Sequence, residues 1–158
     1  MHVYETTHPV AHSAEDMFAL VARIEDYPKF LPLCEALEVR QRDVQGDKEV
    51  IVATMTVGYG LIRERFTTKV YLDRTVRTIL VEYLDGPFAF LENRWRFQPK
   101  SSNACEVAFY IAYAFRSRLF ERLVGRVFAK AVERYTAAFE TRADTVYGPN
   151  QAALASQQ

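Results

Sequence analysis

Between Ala36 and Phe115 apolar and polar residues alternate at close to every second position, whereas on both sides of that stretch they recur every third or fourth. The central runs are rich in Val, Ile, Thr, Tyr and Phe, and "QGDK", "GYG", "LDRT", "DGPF" and "PKSSN" break them. Connections this short predict six strands in an antiparallel meander. Residues 2–10 alternate more weakly and predict one further strand. Ser13 with Asp16 has the spacing of a capping box, and Met17, Leu20, Val21 and Ile24 then follow at helical spacing. Asp26 is placed to cap a second short helix, with Pro28 in its first turn and Pro32 as its stop. From Arg116 to about Tyr147 the period is helical, and Phe120, Val124, Val127, Phe128, Ala131, Tyr135 and Ala138 make one apolar stripe. At 1.5 Å per residue that helix is about 40 Å long, enough to lie across a sheet.

This order predicts an α+β fold in which a curved antiparallel sheet wraps a long C-terminal helix, with two short helices after the first strand. Residues 1–148 read as one domain and 149–158, rich in small and polar residues, as a disordered tail. A curved sheet and a straight helix leave space between them, and pockets in such gaps typically reach several hundred Å³. Eleven Phe, nine Tyr and one Trp supply more ring surface than a core of this size needs, and the surplus suits a cavity wall.

Charge removes some classes of function. Twenty basic and twenty acidic side chains cancel, so no global field draws nucleic acid, and specific DNA binding is not expected. Cys34 and Cys105 lie far apart and no secretory segment precedes them, which predicts two free thiols in a reducing cytoplasm. No apolar run approaches the roughly twenty residues of a spanning helix, so any membrane contact is expected to be peripheral. His2, His8 and His12 lack an i, i+4 pair or neighbouring cysteines, so no metal site is expected. Ser, His and Asp never stand in a nucleophile setting, and no glycine-rich phosphate loop occurs, so neither catalysis nor a catalytic cofactor is expected.

Alternation nominates the inward residues. In "FLENRWRF" Leu91, Asn93, Trp95 and Phe97 share one face, where the flat indole and its single N–H suit a flat ring bearing acceptor oxygens. In "VAFYIAYAF" the bulky face carries Val107, Phe109, Ile111, Tyr113 and Phe115, and the Tyr113 hydroxyl needs a partner there. In "LIRERFTTKVYL" Glu64 shares a face with Ile62, Phe66, Val70 and Leu72, so its carboxyl is expected to be protonated, paired or hydrogen-bonded, or to anchor a head group. Within "DYPKFLPLCEALEV", Phe30, Leu31 and Leu33 are placed to join Phe88 and Phe90 in an apolar lip. On the long helix Val127, Phe128, Ala131 and Tyr135 are expected to face the cavity, while Arg118, Arg122, Arg126 and Lys130 form a cationic row suited to an anionic membrane or to RNA phosphates.

The segments "YPKFLPLC", "GLIRERFTTKV", "DGPFAFLENRWRF", "VAFYIAYAFRS" and "AAFETRADTVYG", in this order from about residue 4 to 148, resemble the START-like, helix-grip superfamily. Within it the chain is similar to the coenzyme Q-binding proteins and the RatA-type proteins, a polyketide cyclase-like group. The resemblance implies a lipid cavity roofed by the terminal helix. It further implies ubiquinone or a related isoprenoid lipid as ligand, a carrier role in respiratory electron transport, and a cytoplasmic protein in peripheral membrane contact. A ribosome-binding toxin is the alternative it carries.

Overall fold

The structure, a computed structural model, describes residues 1–148. The tail expected at 149–158 therefore lies outside the described residues. The chain runs through β1 (His2–Val10), α1 (Ala14–Ala22), a 3-10 helix (Ile24–Lys29) and β2 (Cys34–Gln45). It continues through β3 (Lys48–Tyr59), β4 (Ile62–Asp73), β5 (Thr78–Asp85), β6 (Phe88–Ser101) and β7 (Ala104–Phe115), and ends in α2 (Arg118–Tyr147). The strands form a single seven-stranded sheet in the order β1-β7-β6-β5-β4-β3-β2, antiparallel throughout.

Consecutive strands β1 and β2 occupy opposite edges, so α1 and the 3-10 helix must carry the chain from one edge to the other. The register slips between Val39 and Gln41 in β2, between Thr67 and Thr68 in β4 and between Phe88 and Phe90 in β6, and irregularities of this kind bend strands and increase their twist. Curvature also requires Gly86. Its φ is 140°, and a Cβ there would stand 2.5 Å from the Cβ of Phe66, so the β5–β6 turn folds down on β4 only without a side chain.

Two serines start the helices. Ser13 Oγ accepts the Asp16 N–H at 3.0 Å, and Ser117 Oγ accepts that of Phe120 at 3.1 Å. Asp26 caps nothing: the 3-10 helix already begins at Ile24, straight after α1, and the Asp26 carboxylate instead accepts from Lys29 Nζ at 3.2 Å. The chain leaves this helix through Leu33, at φ 67°.

α2 lies on the same side of the sheet as α1, and the three histidines hold it there. His2 Nε2 meets Glu121 Oε1 at 2.5 Å, His8 Nε2 meets Glu140 Oε2 at 3.2 Å, and His12 Nε2 meets Asp144 Oδ1 at 2.6 Å. The edge strand and the loop after it thus grip α2 at intervals along its length. The buried stripe of α2 is Val124, Phe128, Ala131, Val132, Phe139 and Ala143. Ala138 is half-buried beside it, because in the second half of the helix Phe139 takes the inward position.

Candidate ligand-binding site

Between the sheet and α2 lies an apolar cavity of about 100 Å³. Its roof is Phe128, Tyr135 and Phe139 of α2. Its walls are Leu91, Asn93 and Trp95 of β6, Phe109 and Ile111 of β7, and Phe66, Thr68 and Val70 of β4. Ala53 and Met55 of β3 and Ile79 and Val81 of β5 complete the sheet side, while Ile24, Tyr27, Leu31 and Leu37 close one end. The volume is smaller than the several hundred Å³ expected. Rings fill the difference: Trp95 packs edge-on to Phe109 and Phe139 at centroid distances of 4.7 and 5.1 Å, and Tyr27 packs on Phe139 at 5.2 Å. On a scale where one water needs about 10–15 Å³, the space takes a ring-sized group but not a polyprenyl tail.

Most polar atoms here are already committed. Trp95 Nε1 donates to Asn93 Oδ1 at 2.9 Å, and Asn93 Nδ2 donates to the Tyr110 carbonyl at 2.9 Å. The Tyr27 hydroxyl donates to the Val21 carbonyl at 2.5 Å. The hydroxyls of Thr68 and Tyr135 have no hydrogen-bond partner among the described residues. Tyr135 is half-buried as a residue, but its hydroxyl lies deep, and burial followed by the nearby Cys34 thiol pushes its pKa well above the usual phenol range. It therefore stays a neutral donor. A ligand oxygen entering this cavity meets two available O–H groups and otherwise hydrocarbon.

A second, smaller cavity of about 40 Å³ lies toward the start of α2. Phe120, Val124, Val127 and Phe128 bound it on the helix side, and Val57, Tyr59, Ile62, Pro87, Phe88 and Phe115 on the sheet side. Phe128 is common to both cavities and so stands as the partition between them. Glu64 lines the second cavity and also an open groove outside it, shared with Pro87, Arg116, Leu119 and Leu123.

Comparison with known proteins fits this architecture. Residues 10–140 match the family described as "Polyketide cyclase / dehydrase and lipid transport". The chain belongs to that family. Within it, the ribosome association toxin RatA of Escherichia coli (strain K12) is 35% identical over 138 residues, covering 87% of this chain and 84% of RatA. The mitochondrial coenzyme Q-binding protein COQ10 homolog B of Xenopus laevis is 28% identical over 157 residues, 97% of this chain and 62% of that protein. Among solved structures, the 18 kDa protein CC1736 from Caulobacter crescentus is 34% identical, with a TM-score of 0.75 over 94% of this chain and 100% of that one. A START superfamily protein from Mycobacterium smegmatis reaches a TM-score of 0.76 over 92% of this chain and 99% of its own, at 20% identity, and this likeness shows the helix-grip fold.

On this family scaffold the residues nominated from the sequence separate into groups. Leu31, Phe66, Asn93, Trp95, Phe109, Phe128 and Tyr135 all line the main cavity. Glu64, Phe88 and Val127 line the second, with Leu33. Phe97 is buried behind Trp95, its ring stacked on the indole at 5.9 Å, and touches neither cavity. Tyr113 packs against Phe128 at 4.8 Å and stacks on His2 at 5.1 Å; it lines neither cavity, and its hydroxyl has no partner among the described residues. Ala131 is buried against the sheet but borders no cavity, because Phe128 and Tyr135 on either side of it project further.

The expected apolar lip is not assembled. Phe30 backs the cavity floor, edge-on to Tyr27 and Phe139 at 6.1 and 5.1 Å, with the Arg142 guanidinium 5.4 Å from its ring centre. Phe88 is a buried hub between Phe66, Tyr83 and Phe128. Phe90, 42% exposed, faces outward, as alternation from Leu91 requires, while the register slip at the start of β6 turns Phe88 inward. Glu64 has no hydrogen-bond or ion-pair partner among the described residues. It sits half-buried beside the groove, where solvent reaches it, so the burial cost that seemed to demand a partner does not arise.

Arg118, Arg122, Arg126 and Lys130 are all exposed, and none has an ion-pair partner among the described residues. No helix among the described residues is long and apolar enough to cross a membrane. Both thiols are free and buried. Sequence reasoning did not nominate Tyr27, Thr68 or Phe139. Thr68 was legible as the next inward position after Phe66, and Phe139 as the i+4 successor of Tyr135. Tyr27 had no signal, since only the 3-10 geometry turns it inward.

Proposed function

We propose that this protein is a non-enzymatic carrier of an isoprenoid quinone, or of a lipid with a similar head group, serving respiratory electron transfer. The observation that carries the reading is the cavity's division of labour: a hydrocarbon lining in which Thr68 and Tyr135 hold the uncommitted hydrogen-bond donors. A flat ring bearing carbonyl oxygens matches that arrangement, since its faces meet Trp95 and Phe109 and its oxygens accept from hydroxyls. The cavity takes the ring-sized head group, and each CH₂ of a prenyl tail covered by apolar surface outside it is worth about 0.8 kcal/mol. The name and the 28% identity of the coenzyme Q-binding relative support this reading. A carrier must also meet a bilayer, and the unpaired cations on α2 are the part of the surface chemically suited to an anionic one. The test is titration with a short-chain ubiquinone: as the chain has one Trp, saturable quenching of Trp95 emission supports the reading, and linear collisional quenching rejects it.

One observation favours a second reading. RatA is the more similar relative, at 35% identity, and its name points to ribosome association. On this reading the cationic row of α2 would meet ribosomal RNA phosphates. Ribosome profiles separate the two: the second reading requires added protein to lower the fraction of assembled ribosomes even when its cavity is filled by mutation.

A further inference from the structure

The ends of β3, β5 and β7 and the starts of β4, β6 and α2 all lie at one end of the antiparallel sheet, and that end is unusually apolar at its surface. The two-residue β3–β4 turn places Gly60 at φ 58° and leaves Leu61 fully exposed at its tip, with Tyr59 beside it at 51% exposure. Across the opening, Leu119 and Leu123 on the first turns of α2 are 67% and 58% exposed. Leu119 and Leu123 border the groove that holds Glu64, and Tyr59 borders the second cavity just inside it. These side chains therefore ring a mouth.

The same helix turns carry charge. With 3.6 residues per turn, Leu119 and Leu123 project from the outer face of α2 that also bears Arg122, Arg126 and Lys130, with Arg118 at its margin. Elsewhere most arginines are tied to carboxylates, such as Arg42 to Glu49 at 2.8 Å, Arg63 to Glu35 at 2.7 Å and Arg77 to Glu15 at 2.9 Å. The row on α2 is not. Glu121, the acid of the first turn, is turned away to His2, and the next acid on the outer face is Glu133, beyond Lys130. Exposed leucines interleaved with unneutralised cations are the composition of a face that lies in the boundary between acyl chains and anionic head groups.

We propose that this end docks on the surface of an anionic phospholipid bilayer, with Leu61, Leu119 and Leu123 entering the acyl boundary and the second cavity opening directly onto the lipid. The proposal rests on the carrier reading for what passes through the mouth, and it gives that reading a route. The main cavity holds a ring-sized group, so a tail leaves past Phe128 and the second cavity into the apolar ring around the mouth. Charge complementarity selects the bilayer over an apolar protein partner, which would have no use for four unpaired cations around the contact.

The experiment is sedimentation of the full chain with vesicles of phosphatidylcholine alone and of phosphatidylcholine with phosphatidylglycerol, at low salt. The parent is expected to sediment with the anionic vesicles and not with the neutral ones. Leu61→Asp combined with Leu123→Asp is expected to lower that partition by about tenfold or more, each change exchanging apolar insertion for a charge repelled by the lipid. Val44→Asp, an exposed apolar site at the opposite end of the sheet, is expected to change nothing. Circular dichroism melts confirm that the variants fold. Failure of the parent to bind anionic vesicles, unchanged binding by the double variant, or binding to ribosomal RNA in place of vesicles overturns the proposal. Uptake of a short-chain quinone from solution, measured alongside, tests the carrier reading separately: a double variant that still loads but no longer sediments supports both.

Discussion

Trp95 and Asn93 satisfy each other: the indole N–H donates to Asn93 Oδ1 at 2.9 Å, and Asn93 passes the chain on to the Tyr110 carbonyl at 2.9 Å. The donor that looked available to a ligand is therefore spent inside the protein, and Trp95 offers a ligand only its ring. The donors left over are the Tyr135 and Thr68 hydroxyls. Tyr135→Phe is expected to weaken binding of a short-chain quinone by the roughly 0.5–1.5 kcal/mol of one neutral hydrogen bond, about two- to twelvefold in Kd. Trp95→Phe keeps a ring and is expected to alter affinity less than Tyr135→Phe does. Isothermal titration of both variants makes the comparison; the reverse ranking would mean that the Trp95–Asn93 bond opens for the ligand.

Phe128 divides the two cavities, packed between Tyr113 at 4.8 Å and Phe88 at 5.4 Å. Phe128→Ala is expected to cost about 3–5 kcal/mol of stability through lost burial and the void it leaves. It is also expected to speed quinone uptake, because the two spaces then join. Chemical denaturation measures the first effect and stopped-flow quenching of Trp95 the second. Unchanged uptake kinetics in a folded variant would place the route elsewhere.

His12 is buried with its Nε2 2.6 Å from Asp144, whereas His8 pairs with Glu140 while nearly half exposed, at 46%. Burial makes the first contact worth more. His12→Ala strands or loses a buried hydrogen bond and is expected to cost about 1–3 kcal/mol. His8→Ala is expected to cost under about 1 kcal/mol, as exposed ion pairs do. Urea titration at neutral pH ranks them, and equal costs would contradict the idea that the buried contact holds α2 more firmly than the exposed one.

Burial pushes the Cys34 and Cys105 thiols up to about 11. A group whose pKa is raised on folding contributes stability below its unfolded value and loses it as pH climbs through the folded one. Stability is thus expected to fall between about pH 9 and pH 11, with buried Tyr27 and Tyr135, also raised, extending the decline upward. The Cys34→Ala, Cys105→Ala double variant is expected to show a shallower loss over that window by thermal melting. Iodoacetamide at pH 8 is expected to modify the native thiols far more slowly than the unfolded ones.

The fold was legible because period is a local property. Six central strands, the leading strand and the terminal helix follow from alternation and helical spacing, and Ser13 announced its helix through a rule spanning four residues. The site was legible where alternation holds, as at Phe66, Trp95 and Phe109 on their strands. It failed where geometry departs from period. Phe88 turns inward at a register slip, against alternation from Leu91, and Tyr27 turns inward in a 3-10 helix that no spacing announced. The partners of the histidines were invisible for a different reason: His12 and Asp144 stand more than 130 residues apart, and nothing local connects them.

The central claim is that the cavity carries a lipid, and organic extraction of the purified protein followed by mass spectrometry tests it most directly. Ala53→Leu supplies the control, since Ala53 is a buried lining residue whose enlargement fills the cavity at a cost of about 1–3 kcal/mol. The account predicts an isoprenoid quinone or kindred lipid in near-stoichiometric amount from the parent, and its depletion from folded Ala53→Leu protein. Parent protein that yields no lipid, and that binds no added quinone, would contradict it.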